Sequence, residues 1–424
     1  MNWSAAEYFT IVRHVLPASH PRSNPRATRT PTGPRLSIVA KEYLPKYEDD
    51  DGYSSLPTLS IAFQHGSGFT KELYEPLFVE LLSALKARGV RVHSIIISDV
   101  FNQGESFVEN EDRIGDHASW LDMARDVALM LQLVSPPVPV LGIGHSMGGA
   151  ILFQVAAAIL PNQFIALVGM DPMIEHPDDQ ILVTQPIAQA LAVRKDLWPS
   201  RAEAERYFRD RSIYKRWDKR VYSRWIDSAL RDLPTQVYPS YPSSLPPPPP
   251  GAKPVTLTTP VVQEVYSIAS PNPMRNQSKH VYPVTCLESG DIYKNIRNIT
   301  VPVMFVYAQN WNVISRGWRK EKLLPDAQIV VIERASHFFP FEKPVETAAV
   351  LAKFCAEQLQ IWAKANSQMN PNRHLTEFGD LYKKALGIPT KKRVPASSSS
   401  SRPAASSSLP VKTAANTSTV KAKL

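Results

Sequence analysis

Val138-Pro-Val-Leu-Gly-Ile-Gly-His-Ser-Met-Gly-Gly149 is the stretch from which the rest of this 424-residue chain can be read. Val138–Ile143 is a short continuous apolar run, as a strand buried on both faces is. Gly149–Leu160 is built of small apolar residues at helical spacing. Between them stands Gly144-His145-Ser146-Met147-Gly148, the G-x-S-x-G pattern of a sharp strand-to-helix turn that exposes a serine hydroxyl. Glycines flank the serine because side chains there would collide with neighbouring backbone. With Gly and Ser each near ~7% of residues, about 0.1 chance matches are expected in a chain of this length. The strand before and the helix after are the context the pattern needs, and they mark Ser146 as a candidate nucleophile.

Outward from the elbow, similar apolar runs recur at Leu36–Ala40, Leu59–Phe63, Val92–Ile97, Phe164–Met170, Val301–Tyr307 and Gln328–Ile332. Helical patterns lie between and after them at Leu73–Ala87, Trp120–Val134, Ala150–Ala158 and Val345–Gln360. Strands alternating with helices predict an α/β fold, a mostly parallel sheet flanked by helices. The alternation breaks between about 172 and 300. That stretch holds a charged, aromatic helical segment, Arg201–Arg231, and a Pro-rich segment containing the run Pro246–Pro250, which favours polyproline II. The expected organisation is a Pro/Arg-rich lead-in (1–35), a first core part (36–171), a cap or lid with a mobile loop (172–300), a second core part (301–386) and a disordered Ser/Ala/Pro/Lys-rich tail (387–424).

A serine hydroxyl needs a base, and in this arrangement the histidine comes last in the chain. Glu333-Arg-Ala-Ser-His-Phe-Phe-Pro340 sets His337 just after the run Gln328–Ile332 and before the last long helix, where a base can reach back over the sheet edge. The third member of such a triad commonly follows the strand Val301–Tyr307, yet Ala308–Ser315 contains no carboxylate. Asp171, at the end of Phe164–Met170, is the favoured substitute, with Glu175 as the alternative. An oxyanion needs two backbone N–H groups. Met147 supplies one from the helix N-terminus, and Gln64-His-Gly-Ser-Gly68 supplies the other, through Ser67 or, second, Gly68. Asp99, after Val92–Ile97, reads as a turn carboxylate.

The formal charge of +9 does not describe the folding body. Residues 1–35 carry five Arg and one acid, residues 387–424 seven Lys/Arg and no acid, which leaves 36–386 at −2. Basic ends without interleaved aromatics or a recognition fold argue against nucleic acid as a partner. The two cysteines, Cys286 and Cys355, are far apart and outside any ligand spacing, so neither a disulfide scaffold nor a metal site is expected, and no cofactor is implied. No apolar run reaches the ~18 to 20 residues of a membrane span, and no secretory signal is visible. Ala422-Lys423-Leu424 is a conservative variant of the Ser-Lys-Leu peroxisomal address, which implies an import receptor as partner and the peroxisome as location.

These motifs together resemble the α/β-hydrolase superfamily, and more narrowly fungal peroxisomal hydrolases of the lipase and host-selective-toxin biosynthesis type. The narrower resemblance rests on Arg13-His-Val-Leu-Pro17, Lys71-Glu-Leu-Tyr-Glu-Pro76, Ser98-Asp-Val100 with Asn102-Gln-Gly104, and Gly115-Asp-His-Ala-Ser-Trp120, beside the elbow and Ser336-His337. It covers roughly residues 10–386. In that family an acid-Pro pair after the strand following the elbow is similar to Asp171-Pro172, which favours Asp171. The polyproline insert and the long tail depart from the pattern. The resemblance implies a serine hydrolase of acyl esters or thioesters. A non-hydrolytic accessory protein of the same fold is the other reading, motivated by the missing carboxylate at 308–315.

Overall fold

The apolar runs become strands of one eight-stranded sheet in the computed structural model, which describes residues 3–30, 33–47, 53–177, 180–271, 284–309, 320–367 and 378–388. The strands are β1 Phe9–Pro17, β2 Ser37–Pro45, β3 Thr58–Gln64, β4 Arg91–Ser98, β5 Val140–His145, β6 Ala166–Met170, β7 Val303–Ala308 and β8 Gln328–Ile332. They lie side by side in the order β1-β2-β4-β3-β5-β6-β7-β8. From β4 to β8 all pairs are parallel, whereas β2 runs antiparallel to β4 and β1 antiparallel to β2. Alternate residues feed two apolar layers. Ile61, Phe63, Leu141, Ile143, Met304 and Val306 face one, while Ala62, Val140, Leu167, Phe305 and Tyr307 face the other. Both faces are covered, so the strands read as unbroken hydrophobic runs.

Helices α1 Glu75–Lys86 and α12 Pro344–Ser367 cover the first face. The second lies under α3 Trp120–Val134, α4 Met147–Gln154 and α10 Leu287–Asn295, with α2 Gly104–Asn110 beside β2. The sequence reading put residues up to 300 in the cap. Ile292 and Ile296 instead join the sheet-flanking layer, because a helix with those residues on one side has an apolar stripe to bury.

The cap itself comprises α5 Gln180–Ala192, α6 Arg201–Arg209, α7 Ser212–Lys215, α8 Lys219–Ser228 and α9 Val261–Ile268, with three short strands, Leu197–Trp198, Leu230–Asp232 and Val255–Leu257, paired as a small sheet. Ser200 caps α6 by accepting the Glu203 N–H at 3.2 Å, and Asp218 caps α8 by accepting the Arg220 N–H at 2.8 Å. Ala204 with Phe208, and Val221 with Trp225, repeat at four-residue spacing and turn those helices inward. The Pro-rich segment is a largely exposed loop between the last two short strands. Its base is closed by the Leu233 N–H on the Pro254 carbonyl at 3.0 Å and by the Tyr238 hydroxyl on Asp196 at 3.0 Å. Helix α11 Phe339–Glu342 follows β8 and leads into α12.

Residues 1–35 were expected to be a lead-in, yet Phe9–Pro17 forms the edge strand of the main sheet. Arg13 and His14 interrupt the apolar pattern and hide it. On an edge they are tolerated, with Arg13 bonded to Glu109 at 2.8 Å and His14 to Glu42 at 3.2 Å. The described residues fall into two units, within Met1–Gln368 and within Met369–Leu424. The second contains α13 Asp380–Ala385. No helix among the described residues is long and apolar enough to cross a membrane. Cys286 and Cys355 are buried thiols, and burial pushes Cys355 up to about 12 and Cys286 well above its ordinary value.

Candidate active site

Ser146 sits between β5 and α4 with φ 55° and ψ −120°, outside the regions an L-residue prefers. Such strain costs about 1–3 kcal/mol and persists only where the surroundings over-determine it. Here the Ser146 N–H donates to the Met170 carbonyl at 2.9 Å, and its carbonyl accepts the N–H groups of Gly149 and Met173, both at 3.1 Å. A Cβ on Gly144 would lie 2.4 Å from the Gly148 carbonyl oxygen, and one on Gly148 would lie 2.3 Å from that of Gln64. The two flanking glycines are therefore steric requirements of the turn.

His337 follows β8 in a tight turn. Within it, the Ser336 hydroxyl donates to Glu342 at 2.6 Å and the Arg334 N–H donates to the Gln309 side chain at 2.7 Å. Asp171 leaves the end of β6 with φ 41°, its N–H on the Val306 carbonyl at 2.8 Å. One carboxylate oxygen accepts the Ala308 N–H at 3.1 Å, and the other stands 3.2 Å from His337 Nδ1. An ionised carboxylate only accepts, so this contact sets Nδ1 as the protonated nitrogen and leaves Nε2 with a lone pair. Glu175, the alternative acid, lies 3.8 Å from Lys320 Nζ instead. Of the turn after β7, only Ala308 and Gln309 are among the described residues.

Ser67 and Ser146 line one cavity, and neither the Ser67 nor the Met147 N–H is hydrogen-bonded among the described residues. The Gly68 N–H is taken by Gln103 Oε1 at 2.8 Å, which removes the second choice. Gly66 donates to the Tyr74 hydroxyl at 2.9 Å, and that hydroxyl bonds His145 Nδ1 at 2.8 Å. His145 Nε2 is 2.9 Å from the His337 carbonyl, which can only accept, so Nε2–H donates there and Nδ1 accepts from Tyr74. Burial, and next the neighbouring His337, hold His145 well below its ordinary pKa and keep this relay neutral. Asp99 is buried with Lys71, 2.7 Å from its Nζ. Burial alone would lower the Lys71 pKa, but Asp99, Glu72 and Glu105 overcome it and raise it.

The cavity measures about 250 Å³. Ser146 and His337 lie on its floor, and Phe69, Trp217, Trp225 and Phe338 are among its walls. Arg194 and Glu264 from the cap also line it. Sequence reasoning singled out neither of these, nor the roles of Tyr74, His145 and Gln103. Gln103 lies within Asn102-Gln-Gly104, the one sequence signal that points toward it. Ala422, Lys423 and Leu424 lie outside the described residues.

The profile of the alpha/beta hydrolase family matches residues 63–350. The chain is 36% identical over 242 residues to the type I acyl-CoA thioesterase mpaH of Penicillium roqueforti, covering 55% of this chain and 53% of that protein. It is 27% identical over 229 residues to the peroxisomal membrane protein LPX1 of Saccharomyces cerevisiae, covering 50% and 58%. The chain thus spans about half the length of these curated relatives. The solved structure of the Saccharomyces cerevisiae peroxisomal alpha-beta-hydrolase Lpx1 superposes with a TM-score of 0.67 at 20% identity, over 90% of this chain and 96% of that one. A family match that begins in β3 and runs unbroken into α12 takes in the whole arrangement around Ser146, and by it the chain belongs to the alpha/beta hydrolase family.

Proposed function

We propose that this hydrolase cleaves acyl esters or thioesters through a covalent acyl-enzyme on Ser146. The observation that carries the reading is the 3.2 Å contact of His337 Nδ1 with Asp171, made beside a strained serine in one cavity. In the first half-reaction Ser146 Oγ attacks the acyl carbonyl while His337 Nε2 takes its proton. Asp171 stabilises the imidazolium, and the Ser67 and Met147 N–H groups hold the oxyanion. The carbonyl re-forms as the alkoxide or thiolate leaves with the proton from His337. Water, activated by the same histidine, then releases the acid and restores Ser146. Similarity to the Penicillium type I acyl-CoA thioesterases mpaH favours the thioester. Asp171 beside His337 supports the hydrolase over the accessory-protein reading, which the lack of a carboxylate at 308–315 motivates.

Purified chain should label with a fluorophosphonate probe and hydrolyse p-nitrophenyl esters or acyl-CoA, and Ser146→Ala should lose both. Equal labelling of Ser146→Ala would end the proposal. A peroxisomal location is supported by the name of the LPX1 relative and by Ala422-Lys423-Leu424. A fluorescent N-terminal fusion should collect in peroxisomes and become diffuse when that tripeptide is removed.

A further inference from the structure

Most of the wall above Ser146 is apolar, yet an ion pair is set into it. Arg194, just after α5, and Glu264, on α9, face each other, with Nη1 3.4 Å from Oε1 and Nη2 paired with Oε2. Their side chains are 19% and 5% exposed. Glu264 Oε1 lies 2.1 Å from where a Cβ on Gly68 would stand, so the carboxylate rests on the residue next to Ser67. The pair therefore reaches from the cap to the loop assigned to the oxyanion. A buried ion pair is seldom more stabilising than apolar side chains of the same volume, so stability does not account for its place here.

Its hydrogen-bonding capacity does. A guanidinium carries five N–H donors, and Glu264 engages one on each terminal nitrogen, leaving a further N–H on both. The carboxylate keeps unused lone pairs. Formal charge cancels within the pair. This patch of wall therefore offers donors and acceptors with no net field for an anion.

We propose that the Arg194–Glu264 pair is a specificity subsite that selects acyl groups bearing a neutral oxygen, such as a ketone, hydroxyl or lactone, along the chain. It disfavours plain hydrocarbon acyl groups and those ending in a carboxylate. The inference rests on the reading of Ser146 as the nucleophile at the cavity floor. A hydrocarbon chain strips water from the pair and returns no hydrogen bond. A terminal carboxylate loses its own hydration and meets Glu264 beside a guanidinium already neutralised. A ketone or hydroxyl accepts from Arg194 at small desolvation cost.

Binding by the full-length Ser146→Ala chain tests this without turnover. The probes are the CoA thioesters of decanoic acid, of its oxo analogues with the ketone moved along the chain, and of the matching dicarboxylic acid, titrated by calorimetry. At least one oxo analogue should bind about tenfold tighter than decanoyl-CoA, with the dicarboxylic thioester weakest. Adding Arg194→Met with Glu264→Gln should bring all three within about twofold. Glu264→Gln alone leaves the guanidinium unneutralised and should move the preference to the dicarboxylic probe, which serves if the multiple variant does not fold. Equal affinities in the Ser146→Ala chain would overturn the subsite, as would an oxo preference that survives Glu264→Gln unchanged. Hydrolysis that persists in Ser146→Ala would instead overturn the nucleophile and leave the binding ratios standing.

Discussion

The floor and the roof of the cavity are built differently. At and just below the floor, Ser146 and Asp171 leave parallel strands with positive φ, and main-chain hydrogen bonds with Met170, Val306 and Met173 hold them. In the roof, position comes from side chains. Phe208 meets Trp225 edge-on at 5.4 Å and Tyr214 meets Trp217 at 4.8 Å. Phe341 of the core packs on Trp217 at 5.0 Å. A floor fixed by backbone leaves few residue choices and shows as a motif. A roof fixed by packing tolerates exchange of similar volumes and shows as composition only. Under the proposed function, bond cleavage and substrate choice would thereby fall to regions that can vary separately.

The contrast is most exposed to failure at Asp171. Asp171→Asn should lower kcat by about 10⁴-fold, as loss of the histidine-orienting carboxylate does, with KM little changed. Glu175→Gln should retain most of kcat, and the reverse ranking of these two variants would move the acid to Glu175. In the roof, Phe208 is buried behind the cavity wall, and Phe208→Ala should destabilise the fold by about 3–5 kcal/mol in urea unfolding. Its defect should appear in KM far more than in fluorophosphonate labelling. Equal losses in both would mean that roof and floor are one unit.

A smaller effect is expected at the relay that ties the floor together. Tyr74→Phe strands the Gly66 N–H and His145 Nδ1, and should cost about 1–3 kcal/mol. Stability should also fall in acid. His145 is held well below its ordinary value of 6.5 by burial, so it stays neutral when folded and takes up a proton when unfolded. Its contribution is whole above 6.5 and is lost as pH drops from there toward the folded value. His65 and His117, also lowered by burial, act in the same sense. A urea midpoint that stays level between about pH 7 and 5 would contradict a neutral relay.

Much of the floor was legible in the sequence because its cues are local. The run into Ser146, the glycines at 144 and 148 and the turn after Gln328–Ile332 each lie within a few residues of what they determine. Edge strand β1 escaped because Arg13 and His14 break its apolar pattern, and their partners Glu109 and Glu42 are remote in the chain. Tyr74, His145 and Gln103 escaped for a related reason. Each is an ordinary residue type whose role is defined by its hydrogen-bond partners, and those partners are set by how loops converge at the strand ends.

By itself the sequence determined the alternation of strands and helices, the elbow at Ser146 and the position of His337 after the last strand, because hydrophobic period and steric strain act between near neighbours. Only the tertiary structure decided that Asp171 faces His337 across 166 residues while Glu175 goes to Lys320, and that Arg194 meets Glu264 across 70. The physical reason is range. A hydrogen bond or ion pair is specified to a few tenths of an ångström, and for groups so far apart in the chain that distance exists only once the sheet has brought its strand ends together.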